Sequence, residues 1–229
     1  MVYRTLKSTA LLALLLVAAC GGKPPPKDPA NTDEGTSEAT PTPPAPKKCE
    51  TLEEKCTATA KTIAKVKSAK LVFTPGETWT YAQGENNSVA QMSADGAVLA
   101  FASYTPDKDA KKDAAARDAA FAEIVKTISV TPPKGLKVNW KKPDAPQESN
   151  GLKLGIWQVQ GAERGKKKGI LLVVQGPVSD EHALIGAGFA AEDDEAGMGA
   201  ISKSIESIKP DDKAVDDKKA DDKKADDKK

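Results

Sequence analysis

Apolar residues recur at helical steps of three and four in three segments of the chain. The first runs from Thr51 to Lys70, the second from Asp107 to Ile128, and the third follows Asp193-Asp194-Glu195 and ends at Ile208. In each segment the apolar positions form one stripe and polar residues occupy the rest, so the spacing predicts three amphipathic helices. Pro132-Pro133 stops the second helix, because proline and the residue before it leave the helical conformation.

Short apolar runs between these segments predict β-strands. They cover residues 70–73, 78–82, 88–93, 97–104, 136–140, 152–160, 169–175 and 182–190. Asp95-Gly96 joins the third and fourth runs and is a turn signal, so these runs predict a hairpin, and residues 162–168 predict another. The run from Ile170 to Val174 does not alternate with polar residues, which is typical of a strand covered on both faces.

The N-terminal 19 residues have the pattern of a cleaved export signal. Arg4 and Lys7 precede an apolar core of mostly Leu and Ala that is too short to span a bilayer. Val17-Ala18-Ala19 stands directly before Cys20 and resembles the lipobox of bacterial lipoproteins. That resemblance implies a diacylglycerol thioether on Cys20, and Gly21 implies sorting to the outer membrane. The alternative is an ordinary signal peptide cut after Ala19.

Two further segments contain too few apolar residues to form a core. Residues 20–48 are rich in Pro, Thr and Lys, and residues 209–229 repeat Asp-Asp-Lys-Lys. Such compositions predict a disordered linker and a disordered charged tail. One globular α+β domain is therefore expected over residues 49–208.

The charges of the chain are balanced. It has 34 Lys and Arg against 33 Asp and Glu, and removing residues 1–19 removes Arg4 and Lys7 to leave 32 against 33. The basic excess of a nucleic-acid-binding protein is missing, so no nucleic-acid partner is predicted. After Cys20 no apolar run approaches the roughly 18 residues of a membrane-spanning helix. Lipid is the predicted membrane attachment.

The remaining two cysteines, Cys49 and Cys56, form an even pair in an exported protein, which favours a disulfide. One continuous helix would separate them by about 10.5 Å along its axis, beyond disulfide reach. Thr51 to Glu54 fits a capping box, which places Cys49 before the helix where the chain can fold back. Free or intermolecular cysteines and a metal pair are the alternatives, but a metal would lack a third ligand nearby.

His182 is the sole histidine of the chain, so a Ser-His-Asp or Cys-His site would have to use it. Its neighbours Asp180 and Glu181 would point to alternate faces of an extended segment. A Gly-x-Ser-x-Gly nucleophile motif is not present. The prediction is that the protein is not an enzyme, and the alternative is an envelope hydrolase that uses His182.

Four other sets of residues each have a binding interpretation and a structural one. Gly186-Ala-Gly188 and Gly197-Met-Gly199 do not open a helix of a βαβ unit, so packing explains them better than phosphate binding. Asp193-Asp194-Glu195 suits a helix N-terminus better than a calcium site. Trp79, Trp140 and Trp157 either fill the core or line a carbohydrate or peptide cleft. No cofactor and no metal are predicted.

The predicted order is strands, a hairpin, a long helix, antiparallel strands and a C-terminal helix. It ends in His182-Ala-Leu-Ile-Gly-Ala-Gly-Phe189 and Ile201-Ser-Lys-Ser-Ile-Glu-Ser-Ile208. This pattern resembles the fold shared by PsbP and DcrB-type lipoproteins over roughly residues 70–208. The resemblance implies an antiparallel sheet packed between helices and a binding or assembly role, and it carries over no functional residue.

The expected function is therefore that of a lipid-anchored cell-envelope lipoprotein. Its domain would be a non-catalytic binding or assembly module, with an envelope protein or polymer as its partner. A further interpretation assigns the function to the tail of residues 209–229, whose Asp and Lys side chains would contact charged envelope polymers.

Overall fold

The computed structural model describes residues 47–211 of the chain. The helices are Ala110–Thr127 (α1) and Glu195–Glu206 (α2). The strands are Cys56–Thr57 (β1), Ala64–Val66 (β2), Leu71–Phe73 (β3), Thr80–Gln83 (β4), Asn87–Gln91 (β5), Val98–Tyr104 (β6), Val130–Thr131 (β7), Ala145–Ser149 (β8), Leu152–Arg164 (β9), Lys167–Pro177 (β10), Ala183–Ala191 (β11) and Lys209–Pro210 (β12).

Two antiparallel sheets and the two helices form three layers. The large sheet has the order β1-β4-β5-β6-β11-β10-β9-β7, with β8 also paired to β9, and the small sheet has the order β12-β3-β2. Helix α1 packs on β6 and β11 from one side, and α2 contacts the same strands from the other. The small sheet shares the core on the α2 side. The fold is mixed α+β and mostly sheet, so the predicted class is confirmed at this level.

The central strands supply side chains to both cores, which explains why their apolar runs do not alternate with polar residues. In β6, Leu99 and Phe101 face the α2 side, whereas Val98 and Ala100 face α1. In β10, residues 171–174 are all buried and alternate between the two cores in the same way. The prediction that Ile170 to Val174 is covered on both faces is confirmed, with Ile170 only partly buried.

Glycines in β11 make room for side chains from neighbouring elements. A Cβ on Gly186 would lie 2.5 Å from the ring of Phe101, and one on Gly188 would lie 2.7 Å from Ile201 of α2. These two glycines therefore serve sheet and helix packing, as the interpretation of the Gly186-Ala-Gly188 motif predicted.

The predicted helix from Thr51 to Lys70 is wrong. The chain forms a 3-10 turn at Leu52–Glu54, then β1, β2 and a second 3-10 turn at Lys67–Ala69. Lys55 has a φ of 50° and Lys70 a φ of 51°, and each residue ends its turn in the left-handed conformation.

The buried residues of this segment follow a period of two. Cys56 and Ala58 are buried around an exposed Thr57, and Ala64 and Val66 are buried around a half-buried Lys65. Small apolar residues satisfied the helical spacing as well, so periodicity alone was ambiguous. Pairing of β1 with β4 and of β2 with β3 decides the conformation.

Cys49 and Cys56 lie at disulfide distance, with an S–S separation of 2.02 Å and a Cα–Cα separation of 5.6 Å. The capping box predicted at Thr51 is present over one turn, where the Glu54 carboxylate accepts the Thr51 N–H at 3.2 Å. Because that turn ends at Lys55, the chain reverses and the helical separation of the two cysteines never arises. The Cys49 carbonyl accepts the Gln83 N–H at 2.8 Å, which fixes the entering chain beside β4.

Residues 136–140, predicted as a strand, belong to a loop, and β8 lies in the segment before Asn150, where no strand was predicted. Asn150 and Gly151 have φ values of 48° and 83° and form the two-residue turn between β8 and β9. Asn-Gly is the preferred sequence for such a turn. Proline is tolerated in β8 because, within residues 47–211, this strand pairs with β9 only.

The domain was predicted to end at residue 208, but the described chain continues into the small sheet. Lys209 and Pro210 pair with Val72 and Leu71 of β3. Asp211 donates its N–H to the Lys70 carbonyl at 2.8 Å, and its carboxylate lies 2.6 Å from Lys65 Nζ. An edge strand was available to pair with these residues, which composition alone does not reveal.

Ending the chain at residue 208 should lower the free energy of unfolding by about 1–2 kcal/mol, because the pairing of β12 with β3, the Asp211 hydrogen bond to Lys70 and the Asp211–Lys65 ion pair are lost. Urea unfolding of residues 21–208, 21–211 and 21–229 measures the effect. We expect the last two to coincide, since residues 212–229 have almost no apolar side chains to bury. Equal stability of the first two would contradict the prediction.

Candidate functional site

A long loop between β7 and β8 carries a concentrated positive charge. We call residues 132–144 the lysine loop, because Lys134, Lys137, Lys141 and Lys142 are all exposed in it. Asp144 is its one acidic residue and stands at its end. Loops of this length without helix or strand are uncommon in compact domains and are usually functional when they are ordered.

Trp140 ties the lysine loop to helix α1. Its ring lies edge-on to Phe121 at 5.7 Å and to Trp157 at 5.2 Å between centroids. The Arg117 guanidinium lies 5.0 Å from the Trp140 ring centroid, and the indole Nε1–H donates to Asp118 Oδ1 at 2.8 Å. The half-buried ring thus has an aromatic, a cationic and a hydrogen-bonded neighbour.

Trp157 holds the main chain of the same loop from below. Its buried indole donates to the carbonyls of Asn139 at 2.9 Å and Lys142 at 3.1 Å. The Asp144 carboxylate accepts the Gln158 N–H at 2.8 Å. A Cβ on Gly155 would lie 2.6 Å from the Trp157 ring, so glycine is needed there for the ring to lie across β9. These contacts fix the backbone that carries the lysine side chains.

A groove of about 510 Å³ separates the lysine loop from β9. Its polar wall consists of Lys137, Lys142, Asn139, Asp144, Gln158 and Gln160, and its other lining residues are Trp157, Pro133, Leu136, Val138 and Val159. Two smaller grooves, of about 390 and 480 Å³, lie between the loop and α1. Ammonium and carboxamide groups in such a wall can bind anions and hydroxyl groups.

A polar cluster on the α1 side positions the helix against the sheet. Asp113 and Arg117 form an ion pair at 3.4 Å, and Gln175 Nε2 donates to the Tyr104 hydroxyl at 3.2 Å. Burial raises the pKa of the Tyr104 hydroxyl above its ordinary value, and the Asp113 carboxylate raises it further. Tyr104 is therefore neutral at physiological pH and acts as a hydrogen-bonding residue.

The lysine loop and the entry of the chain lie at opposite edges of the large sheet. Cys49 is fixed beside β1 and β4, whereas the loop follows β7 and packs on β9. Six strand intervals separate β1 from β9, which is about 30 Å at the usual spacing between strands.

Cys20, the predicted lipidation site, lies outside the described residues, as do the predicted signal peptide and most of the linker. Cys49 and Cys56 lie together at the β1 edge, far from the lysine loop. His182 is half-buried before β11, and its main-chain carbonyl accepts the N–H groups of Val178 and Ser179 at 3.0 Å. The exposed Asp180 and Glu181 complete that turn.

The remaining sequence candidates have structural surroundings. Asp194 is the N-cap of α2 and accepts the Gly197 N–H at 2.8 Å, as the capping interpretation predicted. Trp79 is 2% exposed and belongs to the core. Trp140 and Trp157, by contrast, support the lysine loop and its groove. Sequence reasoning missed the four lysines, although a signal was present: residues 132–143 contain four lysines and no acid.

A fourth groove, of about 800 Å³, runs between α2 and the loop from Thr74 to Trp79. The helix presents small residues to it, among them Ala196, Gly199 and Ala200. Ser204 lines this groove and is 1% exposed, and its hydroxyl has no hydrogen-bond partner within residues 47–211. Its walls carry fewer charged groups than the lysine loop.

Residues 47–211 contain neither a cluster of metal ligands nor a membrane-spanning helix. Within that range, His, Cys, Asp and Glu side chains do not gather in groups of three or more that could hold a metal ion. Neither of the two helices described there is long and apolar enough to cross a membrane.

No family model and no curated protein matches the sequence. A solved structure from Bacteroides thetaiotaomicron VPI-5482 is similar over 62% of this chain and 45% of that chain, at 6% identity and a TM-score of 0.37. The chain thus spans less than half the length of the protein that it matches.

Proposed function

We propose that this chain is a lipid-anchored lipoprotein of the bacterial cell envelope, attached through Cys20 and sorted to the outer membrane. Its domain is a binding module, and the lysine loop is the surface that meets the partner. The partner is an anionic component of the envelope. The observation that carries this proposal is the lysine loop itself, in which two tryptophans fix a backbone with four exposed lysines.

The position of the loop supports this function. A domain tethered through Cys49 at one edge of the sheet presents the opposite edge, with the lysine loop, away from the attachment point. Positive charge on that edge attracts an anionic surface over roughly one Debye length, which is about 8–10 Å at physiological salt. The domain is then a bridge between its own membrane and a second envelope component.

Replacing Cys20 with Ala should leave the protein unprocessed or soluble, because the lipobox thiol is the acyl acceptor in the proposed anchor. Fractionation of cells that express the wild-type and C20A chains, with mass spectrometry of the mature N-terminus, measures this. Normal membrane partitioning of a correctly processed C20A chain would overturn the proposed anchor.

Replacing the four loop lysines with Gln should weaken binding to isolated envelope fractions, since most of the local charge is removed. The dissociation constant should rise tenfold or more. Cosedimentation of residues 21–229 with peptidoglycan and with outer-membrane vesicles measures binding. The matched control replaces the exposed lysines 48, 55, 61 and 70, which lie away from the loop, and gives the same change of net charge.

Equal loss of binding in the loop variant and in the control would contradict the proposal, because it would show a general charge effect.

Deleting residues 212–229 tests the interpretation that the tail makes the contact. The H182A variant tests the hydrolase alternative, and we expect it to change neither binding nor the midpoint of unfolding.

A further inference from the structure

The outer edge of β9 has a gap in its pairing beside the lysine loop. Strand β8 pairs with residues 152–156 and β7 with residues 163 and 164, so within residues 47–211 no strand pairs with residues 157–162 on this side. The Gln158 N–H points into the gap, where it donates to Asp144. Alternate residues of a strand direct their N–H groups to the same side, so the Gln160 N–H points there too. The groove floor therefore offers main-chain hydrogen-bonding groups.

The side chains around this gap suit a ligand with both hydroxyl and anionic groups. Asn139, Gln158 and Gln160 have carboxamides that donate and accept hydrogen bonds, as hydroxyl groups require. Lys137 and Lys142 supply ammonium donors for a carboxylate or phosphate. They outnumber Asp144, the one acid of the lining, whose carboxylate already accepts the Gln158 N–H. The apolar part of the wall provides a surface for the C–H groups of a sugar ring. A groove of about 510 Å³ is within the usual range for small-ligand sites.

A lipid bilayer fits this surface less well. Binding to a membrane interface uses apolar side chains that enter the headgroup region, together with basic residues. The exposed large apolar residues of the described chain are Ile63 at 54% and Met92 at 41%, and neither belongs to the lysine loop. Trp140 and Leu136 are at least half-buried in the loop structure.

An acidic peptide added as a strand along β9 also fits less well. An added strand needs a continuous row of free N–H and C=O groups. The Gln158 N–H already donates to Asp144, so the row of free main-chain groups along β9 is interrupted at its start.

We propose that the groove between the lysine loop and β9 binds an acidic saccharide, a sugar unit that bears a carboxylate or a phosphate. The inference rests on the function proposed above and narrows the anionic envelope component to a glycan. Lys137 and Lys142 contact the anionic group, and Gln158 and Gln160 contact the sugar hydroxyls. Trp157 holds the groove floor.

Isothermal titration calorimetry of residues 21–229 tests this assignment. The probes are trigalacturonate, galactose 6-phosphate, the neutral sugar maltotriose, pentaglutamate and vesicles of phosphatidylglycerol. We expect both acidic saccharides to bind and maltotriose not to bind. Affinity for trigalacturonate should fall about tenfold in K137Q/K142Q and about tenfold in Q158A/Q160A, which keeps the net charge. The control K48Q/K61Q should bind like the wild type.

Full affinity of Q158A/Q160A for trigalacturonate, or tighter binding of pentaglutamate or of the vesicles, would overturn the saccharide assignment. The proposed function would survive those results if binding to envelope fractions still depended on the four loop lysines. Loss of both dependences would overturn the two proposals together. Circular dichroism and urea unfolding of each variant exclude misfolding as the cause of lost binding.

Discussion

Replacing Arg164 with Met is expected to lower the free energy of unfolding by about 3–5 kcal/mol, because one buried and three part-buried hydrogen bonds of a buried guanidinium are lost at once. Arg164 is 6% exposed at the end of β9. Its Nε–H donates to the Ile128 carbonyl at 3.0 Å, its Nη1 group to the carbonyls of Ser93 and Gly96, and its Nη2 group to Gln91 Oε1 at 3.1 Å.

These bonds connect three parts of the fold that are distant in sequence. Ile128 is the C-cap of α1, Ser93 and Gly96 form the β5–β6 turn, and Arg164 precedes the β9–β10 turn. Burial lowers the pKa of the Arg164 guanidinium below its ordinary value, and the Asp95 charge opposes that change. Arginine remains protonated at physiological pH, so the bonds persist.

Urea unfolding of wild type, R164M and R164K measures the effect, with an unchanged m-value as the sign of an intact two-state transition. R164K keeps the charge but lacks the planar fork, so its stability should lie between the other two. A change below about 1 kcal/mol in R164M would show that water replaces the guanidinium at these carbonyls.

Replacing Trp140 with Ala is expected to lower the free energy of unfolding by about 2–3 kcal/mol, less than for a fully buried tryptophan because Trp140 is only partly buried. Truncation removes the ring contacts with Phe121 and Trp157, the Arg117 contact and the Asp118 hydrogen bond. The loop then loses these contacts with α1 and keeps the Trp157 and Asp144 hydrogen bonds and the packing of Val138, so the lysines should become more mobile. Affinity for an anionic ligand should fall about tenfold, as preorganisation is lost.

W140F is the matched variant, since phenylalanine keeps an aromatic ring between Phe121 and Trp157 but cannot donate to Asp118. Its loss of stability should be about 1 kcal/mol, the typical value of one hydrogen bond. Proteolysis within residues 132–144 and titration of the acidic saccharides measure loop mobility and binding. Wild-type affinity in a destabilised W140A would show that Trp140 stabilises the domain without organising the lysines.

The candidate site is only partly predictable from the sequence. Tryptophan is a residue type that often lines clefts, so Trp140 and Trp157 are candidates from the sequence. Their contacts join α1, the loop and β9, which are remote in sequence and cannot be predicted from it. The four lysines of the loop are not recognisable as a site in the sequence, because exposed lysines are common. They can form an anion-binding site only when the backbone that carries them is fixed. Residues 136–140 resemble a strand because apolar alternation does not distinguish a strand from a loop whose side chains dock on a neighbouring helix.

Local chemistry in the sequence determined several elements by itself. Asp95-Gly96 marked the connection between β5 and β6, the Ala-rich stripe specified α1, and Asp194 capped α2, since each signal acts within a few residues. Only the tertiary structure decided the segment from Thr51 to Lys70, the pairing of β12 with β3 and the gap along β9. Each of these depends on which strand edge is free to pair, and that is a property of the assembled sheets.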